Sequence, residues 1–68
     1  MTMTKIESSC INSIGYDETN RELYVEFKNG NTYIYLNVSK EMYEKFLNSP
    51  SKGRFINDYF VGTKCRKL

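Results

Sequence analysis

An Asn-Gly pair, Asn29-Gly30, stands between two runs in which apolar and polar residues alternate. Both central residues of a type I′ turn need φ > 0, so this pair reads as the two-residue loop of a β-hairpin. That loop sets Lys28 against Asn31, Phe27 against Thr32 and Glu26 against Tyr33. It also sets Val25 against Ile34, Tyr24 against Tyr35 and Leu23 against Leu36. Side chains alternate across a sheet. One face is therefore expected to carry Leu23, Val25, Phe27, Thr32, Ile34 and Leu36, and to form the core. The other is expected to carry Tyr24, Glu26, Lys28, Asn31, Tyr33 and Tyr35.

Upstream, Ser9 to Tyr16 reads as a first strand. Its Ile11 and Ile14 are three residues apart, so both can face one side only across a bulge, which Gly15 helps to absorb. Asp17-Glu18-Thr19-Asn20-Arg21 is a polar turn, with Asn20 suited to the left-handed position. Downstream the period becomes helical. Ser39 caps a helix with Met42, Tyr43, Phe46 and Leu47 on one stripe, and Val38 packs against its first turn. Asn48-Ser49-Pro50 ends it, because proline disfavours the helical conformation in the residue before it. Ser51 caps a second helix whose stripe is Phe55, Ile56, Tyr59 and Phe60, stopped at Val61-Gly62. The expected fold is α+β: a three-stranded antiparallel β-meander followed by two C-terminal helices (βββαα) that cover the apolar face.

A chain of 68 residues holds one domain. Residues 1–7 read as a flexible N-terminus, 8–61 as the domain and 62–68 as a basic tail. Charge is uneven: residues 1–51 carry five basic and seven acidic side chains, whereas residues 52–68 carry five basic and one acidic. That asymmetry favours an anionic partner near the C-terminal end. The start lacks an apolar signal-peptide core and no apolar run could span a bilayer, so a cytoplasmic protein without membrane contact is expected. Cys10 and Cys65 have no metal-ligand spacing and are expected as free thiols.

Catalysis is not expected. The chain has no histidine, the commonest general base near neutral pH, and Cys10 has no base to activate it. Asp17, Glu18 and Glu22 lack the spacing of a calcium loop, and turn formation accounts for them. No metal or cofactor is expected. Ligand-binding candidates are Tyr24, Tyr33 and Tyr35 as base-stacking rings, with Lys28 on the same face and Lys52 and Arg54 at its rim to hold phosphate.

The ordered set Ser8-Ser9, Ile14-Gly15-Tyr16-Asp17, Leu23/Val25/Phe27, Gly30, Tyr33-Ile34-Tyr35, Tyr43/Phe46/Leu47, Ser51-Lys52-Gly53 and Phe55-Ile56-Asn57 resembles the KTSC domain. That module occurs at the C-terminus of some lysyl-tRNA synthetases and as a stand-alone bacterial or phage protein. The likeness runs from Ser8 to about Phe60, with Tyr33-Ile34-Tyr35 as the family's central Tyr-x-Tyr. It departs at Asp58-Tyr59, where an aliphatic–arginine pair would be usual. What the resemblance implies is RNA binding, without aminoacylation. The expected function is a small module that binds RNA or a nucleotide. The alternative is a protein-interaction module, an adaptor or phage-type inhibitor of host machinery, with a protein partner or a homo-oligomer.

Overall fold

The computed structural model describes residues 1–60, 62 and 64–68. Its sheet has five strands in the order β1-β2-β3-β4-β5, with each neighbouring pair antiparallel. The strands are β1 (Thr4–Lys5), β2 (Ile11–Asp17), β3 (Glu22–Phe27), β4 (Thr32–Tyr35) and β5 (Cys65–Lys67). Between β4 and β5 lie α1 (Lys40–Leu47), then α2 (Lys52–Phe55), which runs on into a π-helical turn (Ile56–Phe60). The expected three-stranded meander is thus the middle of a larger sheet. The segments read as a flexible start and a basic tail supply its two edges. Both edge strands are short and exposed, and β5 is rich in cations, a composition that suits a sheet edge and gives no apolar alternation to read.

The bulge expected between Ile11 and Ile14 lies between Ile11 and Ser13, and Gly15 takes no part in it, pairing regularly with Tyr24. It lets Ile11 pair with Phe27 and Ile14 with Val25, so both isoleucines point to the core with no exposed surface. In the turn after β2, Arg21 takes the positive φ (56°), not Asn20. Asn20 instead donates to the Asp17 carboxylate from both its backbone N–H (3.2 Å) and its amide (2.8 Å).

The β3–β4 hairpin corrects the expected register. Phe27 N–H donates to Asn31 O (2.8 Å) and Gly30 N–H to Phe27 O (3.0 Å). The loop is therefore Lys28-Asn29-Gly30. Only Gly30 within it has positive φ, at 95°. This is a turn followed by one left-handed residue, the three-residue alternative to the type I′ loop. One extra loop residue shifts the pairing by one: Leu23 faces Tyr35, Tyr24 faces Ile34, Val25 faces Tyr33 and Glu26 faces Thr32. Side chains on β4 consequently change sides. Tyr33 and Tyr35 lie on the helix-covered face, while Tyr24, Thr32 and Ile34 lie on the other. The expected three-tyrosine face does not exist.

The core is built on the helix-covered face from Ile11, Ile14, Leu23, Val25 and Tyr35 of the sheet, Val38 of the connection, and Phe46, Phe55, Ile56 and Phe60 of the helices. Three phenylalanine rings interlock edge to face, with Phe55 5.6 Å from Phe46 and 5.8 Å from Phe60. Tyr35 stacks on Phe60 at 5.2 Å, and Tyr16 stacks on Tyr43 at 4.4 Å. Tyr16 also donates its hydroxyl to Val38 O at 2.6 Å, which ties β2 to the residue before the α1 cap. Ser39 caps α1 as expected, accepting from Met42 N–H at 3.2 Å. Leu47 and Tyr59, expected on the apolar stripes, are 40% and 60% exposed instead.

The uncovered face has a different character. Ile34 is buried there at 3% exposure. At Gly15 an added Cβ would come within 2.6 Å of Met3 Sδ and 3.2 Å of Met1 Sδ, so the N-terminal arm lies over this glycine. Glu22 on this face pairs with Arg66 at 3.4 Å, across Ile34 from β3 to β5.

Candidate functional site

The short link between the helices is held by its own hydroxyls. Ser49 Oγ accepts from Ser51 N–H (3.3 Å) and donates to Ser51 O (3.0 Å). Ser51 Oγ then accepts from Arg54 N–H (3.4 Å), starting α2 directly after Pro50. The four residues of α2 give way to a π-helical turn, a wider spiral with i→i+5 bonding that recurs at functional sites. Wider winding changes which residues share a face. Phe55 and Phe60, five apart, are both buried (9% and 5%), whereas Tyr59, four from Phe55, is thrown outward. Its ring lies against that of Phe55, with centroids 4.4 Å apart.

The outward Tyr59 forms one wall of a cleft of about 520 Å³ between the end of α1 and the second helix, lined also by Lys45, Pro50, Arg54, Phe55 and Asp58. Two cations, two aromatic rings and a proline thus meet in one recess. Arg54 Nε pairs with Asp58 Oδ2 at 3.6 Å, with the arginine side chain largely in solvent and the aspartate side chain half exposed. An exposed pair of this length contributes little, about 0–1 kcal/mol, so Arg54 can exchange Asp58 for another anion at small cost.

The six residues expected to form one site are dispersed. Arg54 lines the cleft. Lys52 turns back and donates to Ser49 O at 3.3 Å. Lys28 borders a separate polar hollow with Lys5, Ser8 and Asn12. Tyr24 lies on the uncovered sheet face, in a recess with Met1, Met3 and Leu68. Tyr33 is half-buried edge-on to Phe27 at 5.8 Å, and Tyr35 is in the core. Burial pushes the Tyr35 phenol up, with Cys65 and Tyr33 beside it adding to the effect. Lys45 and Tyr59 were not expected at a site. No local signal marked the cleft, because Phe55, Ile56, Tyr59 and Phe60 also fit one stripe of an ordinary α-helix.

The acidic turn residues go to three separate partners. Asp17 binds Asn20, Glu18 pairs with Lys40 at 3.0 Å, and Glu22 pairs with Arg66. Among the described residues no three His, Cys, Asp or Glu side chains come together as metal ligands. Cys10 and Cys65 are free thiols. No helix among the described residues is long and apolar enough to cross a membrane.

A single small α+β domain, with an antiparallel sheet covered on one face by two short helices, is the class that this geometry defines. The chain belongs to the KTSC domain family, whose sequence profile matches residues 7–63. It is 40% identical over 55 residues to a protein of Tsukamurella paurometabola, covering 81% of this chain and 82% of that one. It is 37% identical over 60 residues to an uncharacterized protein of Stutzerimonas stutzeri, covering 88% and 84%. The crystal structure of a KTSC domain protein from Yersinia pestis superposes with a TM-score of 0.91 at 40% identity, over 98% of this chain and 96% of that one.

Proposed function

We propose that this chain is a non-catalytic binding module that takes single-stranded RNA or a nucleotide in the inter-helix cleft. The observation that carries the reading is Tyr59: a large aromatic ring, 60% exposed, turned out by a π-helical turn into a recess with Lys45 and Arg54. A base stacks on Tyr59, at about 1–3 kcal/mol per base. Phosphate is held by Lys45 and Arg54, the latter released from Asp58. Chemistry on the ligand is not part of the reading, because no histidine exists to move protons near neutral pH.

The test is a titration of the protein with a single-stranded uridine oligonucleotide and with uridine monophosphate, followed by tyrosine fluorescence. Tyr59→Ala should weaken binding by about five- to a hundredfold and leave the thermal melt in place, since the ring is outside the core. Lys45→Ala and Arg54→Ala should weaken binding and flatten its salt dependence, because each removes a phosphate contact. Binding unaffected by all three substitutions, or undetectable at low salt, overturns the reading. The protein-interaction alternative draws its support from a different place, the open edge of β5.

A further inference from the structure

The hydrogen bonds that join β5 to β4 define what β5 offers on its other side. Leu36 N–H donates to Lys64 O (3.0 Å) and Leu68 N–H donates to Thr32 O (2.8 Å), and Arg66 lies opposite Ile34 between them. Backbone groups alternate in direction along an antiparallel strand. Residues 64, 66 and 68 therefore turn their backbone inward to β4. The N–H and C=O groups of Cys65 and Lys67 point the other way, along the outer edge of the sheet. β5 is the terminal strand, and all three of its residues are exposed. Among the described residues no strand pairs with this edge.

Side chains add a sign to this edge. Lys67 faces the helix side beside Tyr33, Arg66 faces the uncovered side beside Ile34, and Lys64 precedes them. A second copy of β5 laid antiparallel on this edge would bring cations against cations. We propose that the β5 edge takes an extended, acidic segment of another protein, which adds a sixth strand to the sheet. Outward groups here alternate donor and acceptor. A peptide backbone matches both at strand spacing, while phosphates only accept and ribose hydroxyls do not recur at that spacing, so the edge favours a peptide over RNA. Arg66 is held back by Glu22, so carboxylates on the incoming strand meet Lys64 and Lys67, which steer encounter and fix register.

The experiment uses the isotope-labelled protein and a short acetylated, amidated peptide alternating threonine and glutamate, read by amide resonances and hydrogen exchange. On binding, the Cys65 and Lys67 amides should shift and exchange about tenfold slower or more, as newly bonded groups do, while those of Thr4 and Lys5 at the opposite edge stay as they were. A version with proline replacing both the central threonine and its neighbouring glutamate lacks a donor in either register and should not bind, and one with lysine replacing glutamate should not bind. Lys64→Glu together with Lys67→Glu should weaken the glutamate peptide about tenfold or more. Three outcomes overturn the proposal: no change at Cys65 and Lys67, equal binding of the proline peptide, or the same shifts produced by a uridine oligonucleotide without peptide. Shifts that grow with protein concentration alone assign the edge to self-pairing and overturn it as well.

Discussion

Gly53 passes so close to Cys10 that a Cβ on the glycine would come within 2.6 Å of the Cys10 sulfur. This contact joins the start of β2 to the start of α2, two segments far apart in the chain. Ser8 holds the loop before β2, accepting from the Cys10 and Ile11 N–H groups at 3.3 Å each. The exposed Cys10 side chain must rotate to admit a Cβ, so Gly53→Ala should gain less than alanine's helix preference of about 1 kcal/mol over glycine. In a Cys10→Ala background the same substitution should be more stabilising. Urea melts of the four proteins give the coupling, expected at about 0.5–3 kcal/mol for groups in contact. Additive effects would show that the two segments do not press on one another.

Adjacent residues of α1 should respond in opposite ways. Phe46 has no exposed surface and contacts both Phe55 and Phe60, whereas Leu47 is 40% exposed. Phe46→Ala should cost about 3–5 kcal/mol, comparable to the whole net stability of a domain this size. The variant should lack a cooperative transition by circular dichroism. Leu47→Ala should melt close to the parent.

At the β3–β4 loop, Gly30 has φ of 95°, with nothing within 4 Å of where a Cβ would sit. Any penalty of substitution there comes from the backbone and not from crowding. Gly30→Val should destabilise more than Gly30→Asn, because asparagine tolerates positive φ and β-branched residues do not. Equal melting temperatures for the two variants would contradict the loop geometry.

Alkaline pH should weaken the fold through two phenols. Burial holds Tyr35 and Tyr43 above the ordinary tyrosine value of 10.0, with neighbouring Cys65 and Tyr33 reinforcing Tyr35, and Tyr16 reinforcing Tyr43. The unfolded chain then loses these protons first. The stabilisation is complete below the unfolded value and disappears as pH rises through the higher folded values. Urea midpoints should fall above pH 10, and Tyr35→Phe should reduce that slope. An identical slope in the variant would remove Tyr35 from the account.

Much of the helix-covered core was legible. Three-residue spacing of Ile11 and Ile14 demanded a bulge, and Ser39 and Ser51 marked both helix starts. Register was not legible, for a physical reason. Asn-Gly suits a two-residue loop, yet a three-residue loop also needs one left-handed residue, and Gly30 supplies it. The strand that follows could not arbitrate, because Tyr33, Ile34 and Tyr35 are all able to be buried and neither face of β4 is plainly polar. The cleft was hidden by the π-helical turn, which depends on how Phe55 and Phe60 pack and not on any local preference. β5 was hidden because an edge strand buries nothing and so carries no alternation.

Hairpin loop length in this sheet behaves as a parity bit. Removing one residue from Lys28-Asn29-Gly30 would swap the two sides of β4, and β5 would follow through its pairing with β4. Ile34 would then meet the helices, Tyr33 and Tyr35 would turn to the other side, and Arg66 would leave its partner Glu22. Two tyrosines separated by one residue therefore have no address of their own. The same three letters describe a core anchor or an open aromatic surface, and one residue in the preceding turn decides which.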